Sequence, residues 1–244
     1  MVKLEGFAPI SSEVKRRLIL SIESKEKQGK TNFGLTAPAP LALLNFDTGW
    51  EGVVHKFLQQ GKEILMSDFT DFVLNMEREK DPAKRNEELW ARYKRDYINA
   101  LRHPDIRTVL TDTATEAWEL CRMARFGRLT QVMPFQYGPV NAEFRDLIRQ
   151  AYNYEKNVIF LHKVKPLYIN DKRTSEYERA GFSDMGFLVQ ANLTLFRDKE
   201  GFHCHIRDCR QNAELADLIL SGDMCEFKYL AMNVFPDTDE VDWL

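Results

Sequence analysis

Four short apolar runs mark the chain: Arg17 to Ile22 (RLILSI), Leu41 to Phe46 (LALLNF), Arg107 to Thr111 (RTVLT) and Asn157 to Leu161 (NVIFL). None alternates apolar with polar residues, so each fits a strand buried on both faces of a parallel sheet. Helical patterns separate them. Asn86 to Arg102 carries Leu89, Trp90, Tyr93, Tyr97, Ile98 and Leu101 on one stripe, and Val140 to Tyr152 repeats apolar residues at helical spacing. Strands alternating with helices predict an α/β fold with right-handed crossovers. After residue 186 the pattern changes. Phe187 to Phe196 and Phe202 to Ile206 flank the turn-like segment Arg197 to Gly201, which predicts an antiparallel β-hairpin.

Composition adds little to this and contradicts none of it. The 244 residues are 44% hydrophobic and 29% charged, which suits a globular protein and excludes a mostly disordered chain. Absence of a repeat or a Gly/Ser linker favours one domain, residues 1–235, followed by an acidic tail, 236–244. The net charge of −3 conceals opposed regions. The tail holds Asp237, Asp239, Glu240 and Asp242 and no base, whereas residues 120–142 hold Arg122, Arg125 and Arg128 and no acid. Such a tail docks on a partner, competes with DNA for a basic groove, or is a passive disordered end. Four scattered cysteines suit a reducing compartment, and no run is apolar and long enough to span a membrane. A cytoplasmic protein is expected. His203-Cys204-His205 with Cys209 invites a zinc reading, but strand alternation splits these residues between two faces, so ordinary strand residues are expected.

The candidate chemistry sits after the first apolar run. Ser24-Lys25-Glu26-Lys27-Gln28-Gly29-Lys30-Thr31 matches the phosphate-loop consensus G-x-x-x-x-G-K-[ST] except that Ser24 stands for the first glycine. In such a loop, backbone N–H groups and the helix N-terminus surround phosphates. Lys30 is the candidate to bridge the β- and γ-phosphates of ATP, and Thr31 to ligate Mg²⁺, with Lys27, Gln28, Gly29 and Asn32 completing the cradle. Thr108 to Asp112 is an apolar strand ending in an acid, which suits Asp112 to the Mg²⁺ shell; Thr113 and Glu116 also fit a helix cap there. Asp47, at the end of the second run, is placed to orient or deprotonate water. His162 and Lys163 end the fourth run, where they either sense the γ-phosphate or face solvent.

The segments SKEKQGKT (24–31), LLNFDTGWEG (43–52), RTVLTDTATEAWEL (107–120), QYGPVNAEFRDLI (136–148) and NVIFLHKVK (157–165) stand in an order that resembles the RecA-like ATPase core. More narrowly, they resemble small phage RecA-like ATPases that work beside single-strand-annealing and single-strand-binding proteins. The resemblance implies Mg²⁺-ATP binding, single-stranded DNA as partner and assembly into a ring or filament, in the host cytoplasm if phage-encoded. It also implies a water-activating acid at the position of Asp47, which is shorter than the family's glutamate.

Two segments have the chemistry for DNA. Residues 120–142 interleave Arg125 and Arg128 with Phe126, Phe135 and Tyr137, and residues 163–179 carry Lys163, Lys165, Lys172 and Arg173 with Tyr168 and Tyr177. The second follows the fourth run, where the family has a mobile DNA-binding loop. Solvated helix and loop faces with core aromatics remain the plainer reading of both. A P-loop kinase of nucleotides or small molecules, or a nucleotide-binding module that does not hydrolyse, remain alternatives.

Overall fold

The computed structural model describes residues 14–75, 82–127 and 132–244. In chain order the elements are β1 (Ile19–Glu23), α1 (Lys30–Leu35), β2 (Leu41–Asn45), α2 (Glu51–Gln59), β3 (Ile64–Asp68), α3 (Thr70–Asn75) and α4 (Pro82–Arg102). β4 (Thr108–Asp112), α5 (Ala114–Phe126), α6 (Tyr137–Gln150), β5 (Asn157–His162), β6 (Val164–Ile169) and β7 (Lys172–Arg179) follow. The chain continues with α7 (Met185–Leu188), β8 (Ala191–Arg197), β9 (Phe202–Cys209), β10 (Ile219–Ser221) and α8 (Phe227–Val234).

Eight strands form one sheet in the order β10-β9-β8-β1-β5-β4-β2-β3, and β6 pairs with β7 as a separate ribbon. From β3 to β8 every pairing is parallel; β9 and β10 add antiparallel strands. The four apolar runs are its central strands, and helices cover both faces. Leu20, Ile22, Leu43, Leu110, Ile159 and Leu193 face one core with α1, α2 and α8. Ile19, Leu44, Val109, Val158 and Phe160 face the other, against α4, α5 and α6. On α4 the expected stripe is buried: Trp90, Tyr93 and Tyr97 stack in succession, with ring centroids 5.4 and 6.3 Å apart. The mostly parallel α/β sheet flanked by helices, with an antiparallel C-terminal hairpin, is therefore the fold observed, as the RecA-like resemblance implied.

Several details differ from the sequence pattern. β3 was not anticipated, because an edge strand with Leu65 and Met66 exposed carries no buried apolar run. The C-terminal hairpin starts at Ala191 rather than Phe187, since Met185 to Leu188 form a helical turn that leaves Phe187 exposed. Residues 163–179 fold as the β6–β7 ribbon rather than a loop. Asn170 and Asp171 both adopt positive φ at its tip, as a tight hairpin turn of primed type requires. The acidic terminus is packed on the body by its aromatic tip rather than being a loose end, while its acids stay exposed. Trp243 is 3% exposed, stacks on Phe235 at 5.6 Å and donates its indole N–H to Thr238 Oγ1. Asp237 pairs with Arg16, and Glu240 with Lys228. His203 bonds Asp198 in its own hairpin turn and Ser221 on the neighbouring β10, and no cluster suited to a metal occurs among the described residues.

Candidate nucleotide site

The parallel registers align the strand ends in one row. Glu23 of β1 lies beside His162 of β5, Leu161 beside Asp112 of β4, and Asp112 beside Asn45 of β2. The chain leaves β1 toward β2 on one side and returns on the other side at β8, so β1 is the switch point where α/β sheets bind ligands. The candidate loop emerges there.

The backbone accommodates the departure from consensus. Positive φ occurs at Lys27 (57°) and Gly29 (89°), whereas Ser24 is outside that region and tolerates a side chain. Ser24 is buried and holds the loop closed: its Oγ donates to the Lys25 carbonyl and accepts from Lys30 Nζ at 3.0 Å. Lys30 Nζ also donates to the carbonyls of Ser24 and Lys25 at 3.2 and 3.1 Å. The ammonium is thus folded into the loop against neutral oxygens, and burial, offset in part by Asp112 and Asp47, lowers its pKa. A phosphate is the stronger acceptor for such a group. Gly29 caps α1, whose first turn carries no acid to repel an anion. Gln28 turns away toward β8, where its Oε1 accepts from the Arg197 N–H. Asn32 is half-buried in the first turn of α1.

Asp112 is 2% exposed, and its Oδ2 accepts a 2.6 Å hydrogen bond from Thr31 Oγ1. Burial pushes this carboxyl up to about 6, reinforced by Asp47 and Glu116 and opposed by Thr31 and Lys30. A buried carboxylate beside a hydroxyl supplies hard oxygen donors and has no ion-pair partner among the described residues, so the residues fit Mg²⁺. The Asp112–Thr113 peptide is cis, and Thr113 Oγ1 donates to Glu116. Thr113 holds the N-cap position of α5 but makes no capping hydrogen bond to the helix backbone.

Asp47 lies two residues beyond β2 rather than at its end, held by Asn45: its N–H donates to Asn45 Oδ1 and its carbonyl accepts from Asn45 Nδ2. Its carboxylate accepts from the Gly49 N–H and is close enough to act on both Lys30 and Asp112. Burial of His162, with Arg179 and Lys30 nearby, holds its pKa well below the usual range, so it is neutral. Lys163 is exposed but ion-paired with Glu116.

Two residues not singled out from sequence complete the site. Glu23, the last residue of β1, pairs with Arg179 at the foot of β7 at 3.1 Å. Lys25 in the loop lies over the Tyr177 ring of β7, 4.0 Å from its centroid. The only local signal for Glu23 was an acid directly before the loop. On the ribbon, Lys165 pairs with Glu178, while Lys172 and Arg173 are exposed beside the tip. Tyr168 and Arg173 are cross-strand neighbours, and Tyr168 is 59% exposed. Arg125 is exposed on the last turn of α5, whose neighbours Met123 and Ala124 are core residues, and Phe126 packs on Tyr137. Arg128 lies outside the described residues.

A family model described as "AAA domain" matches residues 16–184, from the approach to β1 through the ribbon. No curated protein matches the chain significantly. Among solved structures, the chain is similar to the RadB recombinase, at 12% identity over 83% of this chain and 84% of that one, with a TM-score of 0.48. It is also similar to a KaiC-like protein from the hyperthermophilic archaeon Pyrococcus horikoshii OT3, at 11% identity over 80% of each chain, with a TM-score of 0.44. No helix among the described residues is long and apolar enough to cross a membrane.

Proposed function

We propose, on the premise that this chain belongs to the AAA domain family and is a P-loop ATPase, that its ATP cycle controls binding of single-stranded DNA by the β6–β7 ribbon. In this reading Lys30 and the loop backbone from Ser24 to Thr31 hold the ATP phosphates. Thr31 and Asp112 hold Mg²⁺, which supplies charge neutralisation of the phosphates when bound. Asp47 orients the attacking water. Neutral His162 lies behind the loop, where it registers its state without competing for the anion.

One observation carries the reading: the ribbon follows β5, the neighbour of β1, and is tied to the end of β1 by Glu23–Arg179 and to the loop by Lys25–Tyr177. A phosphate drawing Lys25 toward itself releases one of those ties, so loop occupancy biases the ribbon. Lys172, Arg173 and Tyr168 at its tip combine phosphate-neutralising charge with a stacking surface, the pairing that suits single strands. Lys163 and Lys165 are already paired with acids and contribute less. Arg125, exposed on the last turn of α5, offers a secondary basic contact. Assembly into a ring or filament, cooperation with an annealing or single-strand-binding protein, and a role in phage recombination, annealing or replication extend the same proposal.

The test is ATP hydrolysis measured with and without single-stranded DNA. DNA should stimulate the wild type, Lys30→Ala should abolish hydrolysis and ATP-dependent DNA binding, and Lys172→Glu with Arg173→Glu should remove only the DNA response. Hydrolysis indifferent to DNA, as expected of a kinase, would sink the DNA reading.

A further inference from the structure

The loop lysine, the threonine and the acids account for the phosphate end of a nucleotide; its base needs a separate partner. Asp112 and Asp47 stand at β4 and just past β2, on one side of β1. A triphosphate whose terminal end faces them extends its base past Gly29 toward the other side of β1, where β8 and β9 lie. The turn between these strands reaches back to the loop. The Arg197 N–H donates to Gln28 Oε1 at 2.5 Å. The Phe202 ring packs so closely on Gly29 that a Cβ there would meet a ring carbon at 2.8 Å.

Arg197 and Phe202 are register partners at the ends of β8 and β9, and the guanidinium lies over the ring, 5.0 Å from its centroid. Strand alternation puts both on the face that α1 covers, in line with Leu195 and Cys204. Those residues are buried, whereas Phe202 is half-buried and Arg197 exposed. The strand pair therefore ends in a guanidinium set over an aromatic ring beside the phosphate loop, with one edge of the ring fixed against Gly29.

We propose that the Arg197–Phe202 pair is the platform on which the nucleobase of the bound nucleotide stacks. The proposal rests on the P-loop reading above and adds the base end to it. Aromatic rings and guanidinium planes both attract the π-face of a base, and the contact needs no edge hydrogen bonds.

The experiment compares affinities of the full chain, with Mg²⁺, for ATP and for tripolyphosphate, which has no base. Phe202→Leu keeps apolar bulk on Gly29 and removes the π-face; Arg197→Gln removes the guanidinium. Each should weaken ATP about 5- to 100-fold, the range of a lost base–aromatic stack, and leave tripolyphosphate unchanged, while Phe202→Tyr should restore ATP affinity. Parallel loss of both ligands would reduce Phe202 to a support for the loop and overturn the platform. Unchanged ATP affinity in both variants would overturn it as well. Lys30→Ala separates this from failure of the loop itself: if that variant still binds ATP and tripolyphosphate like the wild type, the phosphate site is wrong and the platform falls with it.

Discussion

Replacing Asp112 with asparagine should stabilise the nucleotide-free protein while abolishing hydrolysis. The magnitude follows from the carboxyl's environment. Burial raises its pKa from 3.8 to about 6, so the fold favours the protonated form. Below the unfolded value both states are protonated and ionisation costs nothing. Between about pH 4 and 6 the unfolded chain ionises while the native state keeps its proton, so stability is lost; above the folded value both are ionised and the loss levels off. By linkage that loss is small near pH 4 and grows to roughly 3 kcal/mol near pH 7. Asparagine resembles the protonated acid in shape and still accepts from Thr31 Oγ1, but it never ionises. Urea unfolding without Mg²⁺ across this pH range should therefore show Asp112→Asn more stable than the wild type, by a margin that widens toward neutrality. Mg²⁺-ATP should reverse the order, because only the wild type gains the ligand's stabilisation. A pH-independent margin, or a variant less stable at pH 7, would show that Lys30 and Thr31 already compensate the carboxylate and would refute the argument.

Gly29→Ala forces a side chain into a backbone at φ 89° and against Phe202. Strain of roughly 1–3 kcal/mol should appear as a lower melting temperature together with weaker ATP binding; an unaffected variant would show that the loop does not need this conformation. His162→Leu removes two buried nitrogens that make no well-formed hydrogen bond, so thermal unfolding should show unchanged stability or a gain of about 1 kcal/mol, with slower hydrolysis. A marked loss of stability would reveal a partner for the ring. Trp243→Ala should cost about 3–5 kcal/mol in denaturant unfolding, because the indole is packed against Phe227 and Phe235; a loss below about 1 kcal/mol would return the acidic terminus to the status of a loose tail. The charge-reversed ribbon, Lys172→Glu with Arg173→Glu, should also flatten the salt dependence of DNA binding, and an unchanged salt slope would place the DNA elsewhere.

The four buried runs, the α4 stripe and the loop from Ser24 to Thr31 were legible because their information is local. A strand buried on both faces must be apolar throughout, and a phosphate loop needs its residues consecutive in the chain. β3 and β10 left no such mark, since edge strands face solvent and carry mixed residues. Nor could spacing reveal that β5 stands between the loop strand and the Asp112 strand, or that Glu23 and Arg179, 156 residues apart, form a pair. His162 shows the limit most clearly: its position at a strand end was readable, but its burial depends on β1, the ribbon and α5 closing around it. The same holds for charge. The acids of residues 236–244 suggested a free tail, yet the aromatic tip among them decided their fate by finding Phe227 and Phe235. By itself, then, the sequence determined the α/β alternation and marked out the candidate phosphate-binding segment. Only the tertiary structure decided what surrounds that segment, because partners distant in sequence meet through sheet order and packing, which no local pattern encodes.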